Sequence, residues 1–188
     1  MTARINWPEE FSKFFAWCQS RLPEVLDASG AREVWLQGEA YRYFRLHRPD
    51  GPLCLHTNSH DRNDLAFYAT DTSETPVALA EIKLFGLDYY SKNLTGYSDL
   101  RPYVRPARGR FIFDGNHAAR CHPKESSILK DYRKLLRQPA GRRFLLLVLD
   151  TRATAQAFGH AIQNIDFGRR GTVVHEEAPV RVTCWAVR

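Results

Sequence analysis

Apolar positions recur along the chain in two periods, one helical and one extended. Pro8, Glu9 and Glu10 open a predicted helix whose Phe11, Phe14, Phe15 and Cys18 share one face. Pro23 is expected to end it. From Ala31 to Leu46 two patterns compete. Trp35, Leu36, Glu39 and Tyr43 share a helical face, whereas Val34, Leu36, Tyr41 and Tyr43 also fit a strand alternation; helix is the favoured reading. The run Arg48-Pro49-Asp50-Gly51-Pro52 is a turn. Strands are predicted over Leu53 to Thr57, Leu65 to Thr70 and Val77 to Phe85. The short polar segment from Asp71 to Pro76 joins the last two as an antiparallel hairpin. Gly86 to Lys124 reads as an irregular insertion rich in Tyr and Arg. An amphipathic helix from Ser126 to Arg137 follows and stops near Pro139 and Gly141. Phe144 to Leu149 is a continuous apolar strand of the kind buried on both faces. A helix over Ala153 to Ile165 and a strand over Val180 to Val187 complete the pattern. The expected fold is α/β, a mixed sheet flanked by helices. One domain spans residues 1–188, with residues 1–30 as a helical extension and 86–124 as a long basic and aromatic insertion.

Composition narrows the class. At 188 residues, with 44% hydrophobic and 26% charged residues, the chain can bury a core without disulfide staples. No apolar run approaches the ~20 residues of a membrane span. The first 22 residues carry Glu9, Glu10, Lys13 and Arg21 and show no signal-peptide pattern, so the expectation is a cytoplasmic protein with no membrane partner. Cys18, Cys54, Cys121 and Cys184 are far apart with no C-x-x-C, which fits buried thiols in a reducing compartment. The net charge of +6 suits a polyanionic partner, although solubility alone would also account for it.

Charge within the most apolar strand adds chemistry. Val77-Ala78-Leu79-Ala80-Glu81-Ile82-Lys83-Leu84 is apolar on both faces, yet Glu81 and Lys83 sit two apart and point to one side. Burying an ion costs on the order of several kcal/mol, so packing alone does not place both there. Either they belong to a structural ion-pair network or they line a cleft. Asp64 begins the preceding strand, and in a hairpin it can approach Glu81 and Lys83. Two adjacent carboxylates repel each other and call for a cation. Carboxylates without His or thiolate favour a hard metal such as Mg²⁺ or Mn²⁺.

The order Asp64…Glu81-x-Lys83 between apolar strand residues resembles the PD-(D/E)XK, or restriction-endonuclease-like, nuclease superfamily. The likeness extends to an acid on the helix before the strands, Glu39 in Trp35-Leu36-Gln37-Gly38-Glu39-Ala40-Tyr41. It extends also to the helix Ile128 to Leu136 followed by Phe144 to Asp150, so that it spans roughly residues 31–165. Asn63, rather than Pro, precedes Asp64, and the 86–124 insertion is long. The resemblance implies that Asp64 and Glu81 hold one or two Mg²⁺ (or Mn²⁺) ions and that Glu39 adds a ligand directly or through water. It implies that Lys83 orients the attacking water and stabilises transition-state charge. The backbone carbonyl of Ile82 is a natural further ligand. The implied activity is hydrolysis of phosphodiester bonds, with DNA as the expected substrate. Cutting both strands of a duplex often needs a homodimer.

Two basic features would serve such a substrate. Lys130, Arg133, Lys134 and Arg137 form one helical stripe, opposite Ile128, Leu129, Tyr132, Leu135 and Leu136. The stripe suits a phosphate backbone and would equally be a solvated face. In the insertion, Arg101, Arg105, Arg108 and Arg110 interleave with Tyr97, Tyr103, Phe111 and Phe113, an arrangement that grips backbone and stacks bases or packs a loop onto the domain. His117, Cys121 and His122 lack a fourth zinc ligand at a usual spacing, and no Walker A, G-x-G-x-x-G, H-E-x-x-H or G-x-S-x-G motif occurs. Two alternatives stay open: a non-catalytic module that keeps a nuclease-like fold to bind nucleic acid or protein, and a purely structural ion-pair core.

Overall fold

Helix α1, Trp7–Cys18, carries Pro8 in its first turn, where no backbone N–H is needed, and Glu9 and Glu10 beside the positive end of its dipole. It buries Trp7, Phe11, Phe14, Phe15 and Cys18 against the sheet. Fully burying one such aromatic contributes roughly 1.5–3 kcal/mol. Pro23 does not end the helical run. A 3-10 turn, Gln19–Arg21, leads into helix α2, Leu22–Asp27, whose second residue is Pro23. At a helix start proline loses nothing, so this segment stays helical. Helix α3, Arg32–Arg42, runs on into a wider π-helical turn, Tyr43–His47. Its Leu36, Ala40, Tyr43 and Phe44 enter the core shared with α1, which fixes the rotation of α3 about its own axis.

The computed structural model describes residues 5–27, 32–47, 54–59, 63–85, 104–107, 110–113, 127–152, 165–166 and 171–188. Strands β1 (Cys54–Ser59), β2 (Asn63–Tyr68) and β3 (Ala78–Phe85) form an antiparallel meander. Strands β4 (Val104–Ala107) and β5 (Arg110–Phe113) form a hairpin inside the insertion, which is therefore not irregular throughout. Helix α4, Ser127–Arg137, then precedes β6, Arg142–Asp150, which pairs parallel to β3 with Glu81 beside Leu145 and Lys83 beside Leu147. Strand β7 is the pair Ile165–Asp166, and β8 (Thr172–Glu177) and β9 (Val180–Ala186) close the chain. The main sheet is six-stranded and mixed, in the order β1-β2-β3-β6-β9-β8, and a second sheet runs β4-β5-β7. The fold is thus a mixed α/β sheet with helices on it. The helix expected over 153–165 lies mostly outside the described residues.

Alternation along the central strands sorts their side chains. Ala78, Ala80, Ile82 and Leu84 of β3, with Phe144, Leu146 and Val148 of β6, point into the core beneath α1 and α3. Leu79, Glu81 and Lys83 therefore point to the opposite face, where α4 contributes Asp131 and Lys134. Leu145, Leu147 and Leu149 on that second face are also buried, so β6 is buried on both sides as its apolar run predicted. Gly141 sets the entry to β6. A Cβ there would stand 2.8 Å from the carbonyl oxygen of Val77, and the neighbouring Arg142 N–H donates to that same oxygen at 3.0 Å. Arg143 fastens α4 from below, donating to the carbonyl oxygens of Leu136 at 3.1 Å and Gln138 at 3.4 Å at the helix end. No helix among the described residues is long and apolar enough to cross a membrane.

Candidate active site

The ladder between β2 and β3 has Leu65 opposite Ala80, and both side chains lie in the core. One residue beyond, Asp64 and Glu81 therefore share the opposite face of the sheet. Asp64 takes over where the ladder stops. Its Oδ2 accepts the backbone N–H of Ile82 at 2.7 Å, and its Oδ1 accepts the Gln37 amide of α3 at 2.7 Å. A carboxylate thus replaces a backbone acceptor, and the two strands part around it.

Four more charged side chains complete the cluster. Lys83 reaches Asp131 of α4 at 2.9 Å and Glu33 of α3 at 3.2 Å. Glu33 also accepts the Leu84 N–H at 3.4 Å. Lys134 of α4 contacts Glu81 Oε1 at 2.5 Å. Strand and helix are therefore cross-linked in opposite senses: the strand offers an acid then a base, the helix an acid then a base three residues on. The site sits where β2 and β3 diverge, with α3 reaching it from one side of the sheet and α4 from the other. Glu81 is only 2% exposed, while Glu33 at 37% marks the open side.

The electrostatics follow from this burial. Glu81 is pushed up to about 8 by loss of solvent and by the neighbouring Asp64, against the opposing pull of Lys134. Asp64 is also raised, first by burial and then by Glu33, with the Ile82 N–H opposing. Burial acts to lower Lys83, but Asp131 and Glu33 more than reverse this and hold its ammonium charged above its ordinary range. Lys83 is therefore a fixed cation and not a base. Among the described residues, Glu33, Asp64, Glu81 and Asp131 stand around Lys83 and Lys134, two more acids than ammoniums.

Several expected site residues go elsewhere. Glu39 does not join the cluster. It lies two residues past Gln37, about 200° around the helix, where Arg21 at 2.7 Å and Arg42 at 3.1 Å hold its carboxylate. Arg21 also stacks on Trp17, 4.6 Å from the ring centre. The helical acid at the site is Glu33. The basic stripe on α4 is also divided. Lys134 turns inward to Glu81, Arg133 is half-buried and Arg137 is exposed. The reason is that Leu135, fully buried, sets the helix face on the sheet and carries Asp131 and Lys134 with it. The side chains of Lys130, Arg105, Arg108 and Arg110 lie outside the described residues, as do Arg101, Tyr97, Tyr103, His117, Cys121 and His122. Glu33, Gln37 and Asp131 escaped the sequence reading. Glu33 and Gln37 share an i, i+4 polar edge, and Asp131 precedes Lys134 by one helical turn.

The donor set fits a hard cation. Asp64 and Glu81 offer oxygen donors from adjacent strands, and burial first, then neighbouring carboxylates, raises the proton affinity of both. Among the described residues no three acidic, imidazole or thiol side chains already converge to hold a metal. A pair of carboxylates with water suits Mg²⁺, which keeps much of its hydration. No family model matches the chain, nor does any curated protein or solved structure.

Proposed function

We propose that the protein is a Mg²⁺-dependent nuclease of the restriction-endonuclease-like kind, with Asp64, Glu81 and Lys83 as its reaction centre. The observation that carries the reading is the meeting of Asp64 and Glu81 on one sheet face, both with raised proton affinity, beside Lys83, whose ammonium Asp131 and Glu33 hold charged. A self-sufficient structural ion-pair core would balance its charges. Among the described residues, this one has two more acids than ammoniums.

In this reading Asp64 and Glu81 hold the metal, and the Ile82 carbonyl is a further oxygen donor. In a strand a residue's N–H and C=O point the same way, and the Ile82 N–H points to Asp64. A bound divalent ion supplies a water of lowered pKa, toward ~7, and polarises a phosphoryl oxygen. Lys83 supplies a fixed positive charge for the negative charge that develops on the phosphate. Asp131 and Glu33 keep its ammonium in place, and Gln37 keeps the Asp64 carboxylate turned to the site. The exposed Arg137 on α4, with Lys130 and the arginines of the insertion, supplies phosphate contacts. DNA is the proposed substrate.

A second reading is a non-catalytic nucleic-acid- or protein-binding module on the same fold. The full pairing of Lys83 by Asp131 and Glu33 favours it, because a paired ammonium is partly spent. The purified protein, incubated with plasmid, linear duplex, single-stranded DNA and RNA in Mg²⁺, Mn²⁺ or EDTA, separates the two. Metal-dependent cleavage that is lost in Glu81→Ala and Lys83→Ala supports the nuclease. Binding without cleavage in either metal supports the module.

A further inference from the structure

Glu81 and Lys83 stand two residues apart on one strand face, yet Glu81 takes an ionic contact from the helix. Lys83 is directed to Asp131 and Glu33, and the ammonium against Glu81 belongs to Lys134 of α4. The two lysines differ in exposure. Lys83 is 12% exposed and reaches two carboxylates, whereas Lys134 is 25% exposed at the rim of the site. A lysine ammonium is a point charge on a flexible four-carbon stem, so one at the rim can leave without disturbing the backbone.

Resting on the nuclease reading above, we infer that Lys134 is a built-in counterion that a divalent metal must displace from Glu81. Metal loading thereby moves a positive charge from the reaction centre to the exposed edge of α4. Lys134 occupies Oε1 of Glu81, a donor atom for which a metal held by Glu81 and Asp64 would compete, and a single ammonium brings less charge there than a divalent ion. The vacated ammonium has a destination. Arg137 is exposed one turn further along the helix, and Arg133 is half-buried beside Lys134. A released Lys134 joins Arg137 as a phosphate-facing group. Metal binding and polyanion binding then favour each other, each strengthening the other by the same factor.

Lys134 is on this account a positioning residue whose exchange sets metal affinity, so the test reads binding and not only turnover. Mn²⁺ affinity is measured by titration calorimetry at mildly alkaline pH on the native protein, Lys134→Met and Lys134→Gln. Removing the competing ammonium should tighten Mn²⁺ binding by about tenfold or more. Affinity for a short DNA duplex should rise with Mg²⁺ in the native protein and rise less in Lys134→Met. Unchanged or weaker Mn²⁺ binding in a folded Lys134 variant overturns the inference while leaving the nuclease reading intact. Absence of Mn²⁺ binding in the native protein and both variants overturns the metal site itself, and the inference with it. Should both variants fail to fold, ¹⁵N-lysine NMR of the native protein decides. The Lys134 ammonium signal should move on Mg²⁺ saturation while that of Lys83 stays. A Lys134 signal unmoved by saturating Mg²⁺ overturns the inference.

Discussion

Replacing Glu81 with Gln should make the metal-free protein more stable at alkaline pH. The Glu81 carboxyl is raised from 4.5 to about 8 because it is buried beside Asp64. The folded state thus holds a proton that the unfolded chain releases. For a raised group the stabilising contribution is fully present below the unfolded value and is lost as pH rises through the folded one. Stability of the native protein should therefore fall between about pH 4.5 and 8, at up to roughly 1.4 kcal/mol per pH unit. Over the whole window the loss is about 5 kcal/mol as an upper figure. In a chain of this size that corresponds to roughly 10–20 °C in Tm. Asp64, also raised, adds in the same direction. Lys83 adds no slope here, because a raised lysine loses its contribution only above its ordinary range. Glu81→Gln carries a neutral amide at every pH and should remove most of the slope. Thermal unfolding in EDTA across this pH range, native against variant, measures the difference and cancels the other titrating groups. Saturating Mg²⁺ should reverse the trend in the native protein, since a metal binds the deprotonated carboxylates. Parallel curves for native and Glu81→Gln would show that Glu81 is not desolvated beside Asp64, and the reasoning would fail.

Other substitutions separate the parts of the site. Asp64→Ala leaves the Ile82 N–H without its acceptor and should cost about 1–3 kcal/mol in urea unfolding; Asp64→Asn keeps an acceptor, should cost much less, and should still lose Mg²⁺ binding by calorimetry. Glu33→Gln weakens the hold on Lys83 and should lower the rate of metal-dependent cleavage, whereas Glu39→Gln, whose contacts are Arg21 and Arg42, should leave that rate unchanged. Gly141→Ala puts a Cβ 2.8 Å from the Val77 carbonyl oxygen and should destabilise by about 1–3 kcal/mol, read from the urea midpoint. Arg137→Ala should flatten the dependence of log affinity on log salt by about 0.9 for duplex DNA if its guanidinium reaches phosphate.

The sequence carried those features that are set locally. The β2–β3 hairpin followed from two apolar runs around a polar turn, and the two-sided burial of β6 from its unbroken Leu and Val. The shared face of Glu81 and Lys83 followed from the two-residue period of a strand. Rotation about a helix axis was harder to read. Glu39 lies between Leu36 and Tyr43 on the apolar side of α3, so packing buries it against Arg21 and not at the site. Glu33 and Gln37, on the polar edge, are the residues left to face β2 and β3. The same rotation on α4 turned Lys134 inward once Leu135 packed on the sheet. Strand β8 was missed because Thr172–Glu177 is short and charged, the character of an edge strand whose partner lies on the other side of a turn. Pro106 disguised the β4–β5 hairpin, because proline in a short run reads as a loop.

Single-turnover cleavage of an end-labelled DNA duplex decides the proposal that Asp64, Glu81 and Lys83 cleave phosphodiester bonds with a metal ion. The native protein should cleave in Mg²⁺ and not in EDTA, and Glu81→Gln that folds normally should lose at least about a hundredfold. Equal cleavage by native protein and Glu81→Gln, or cleavage that persists in EDTA, would contradict it.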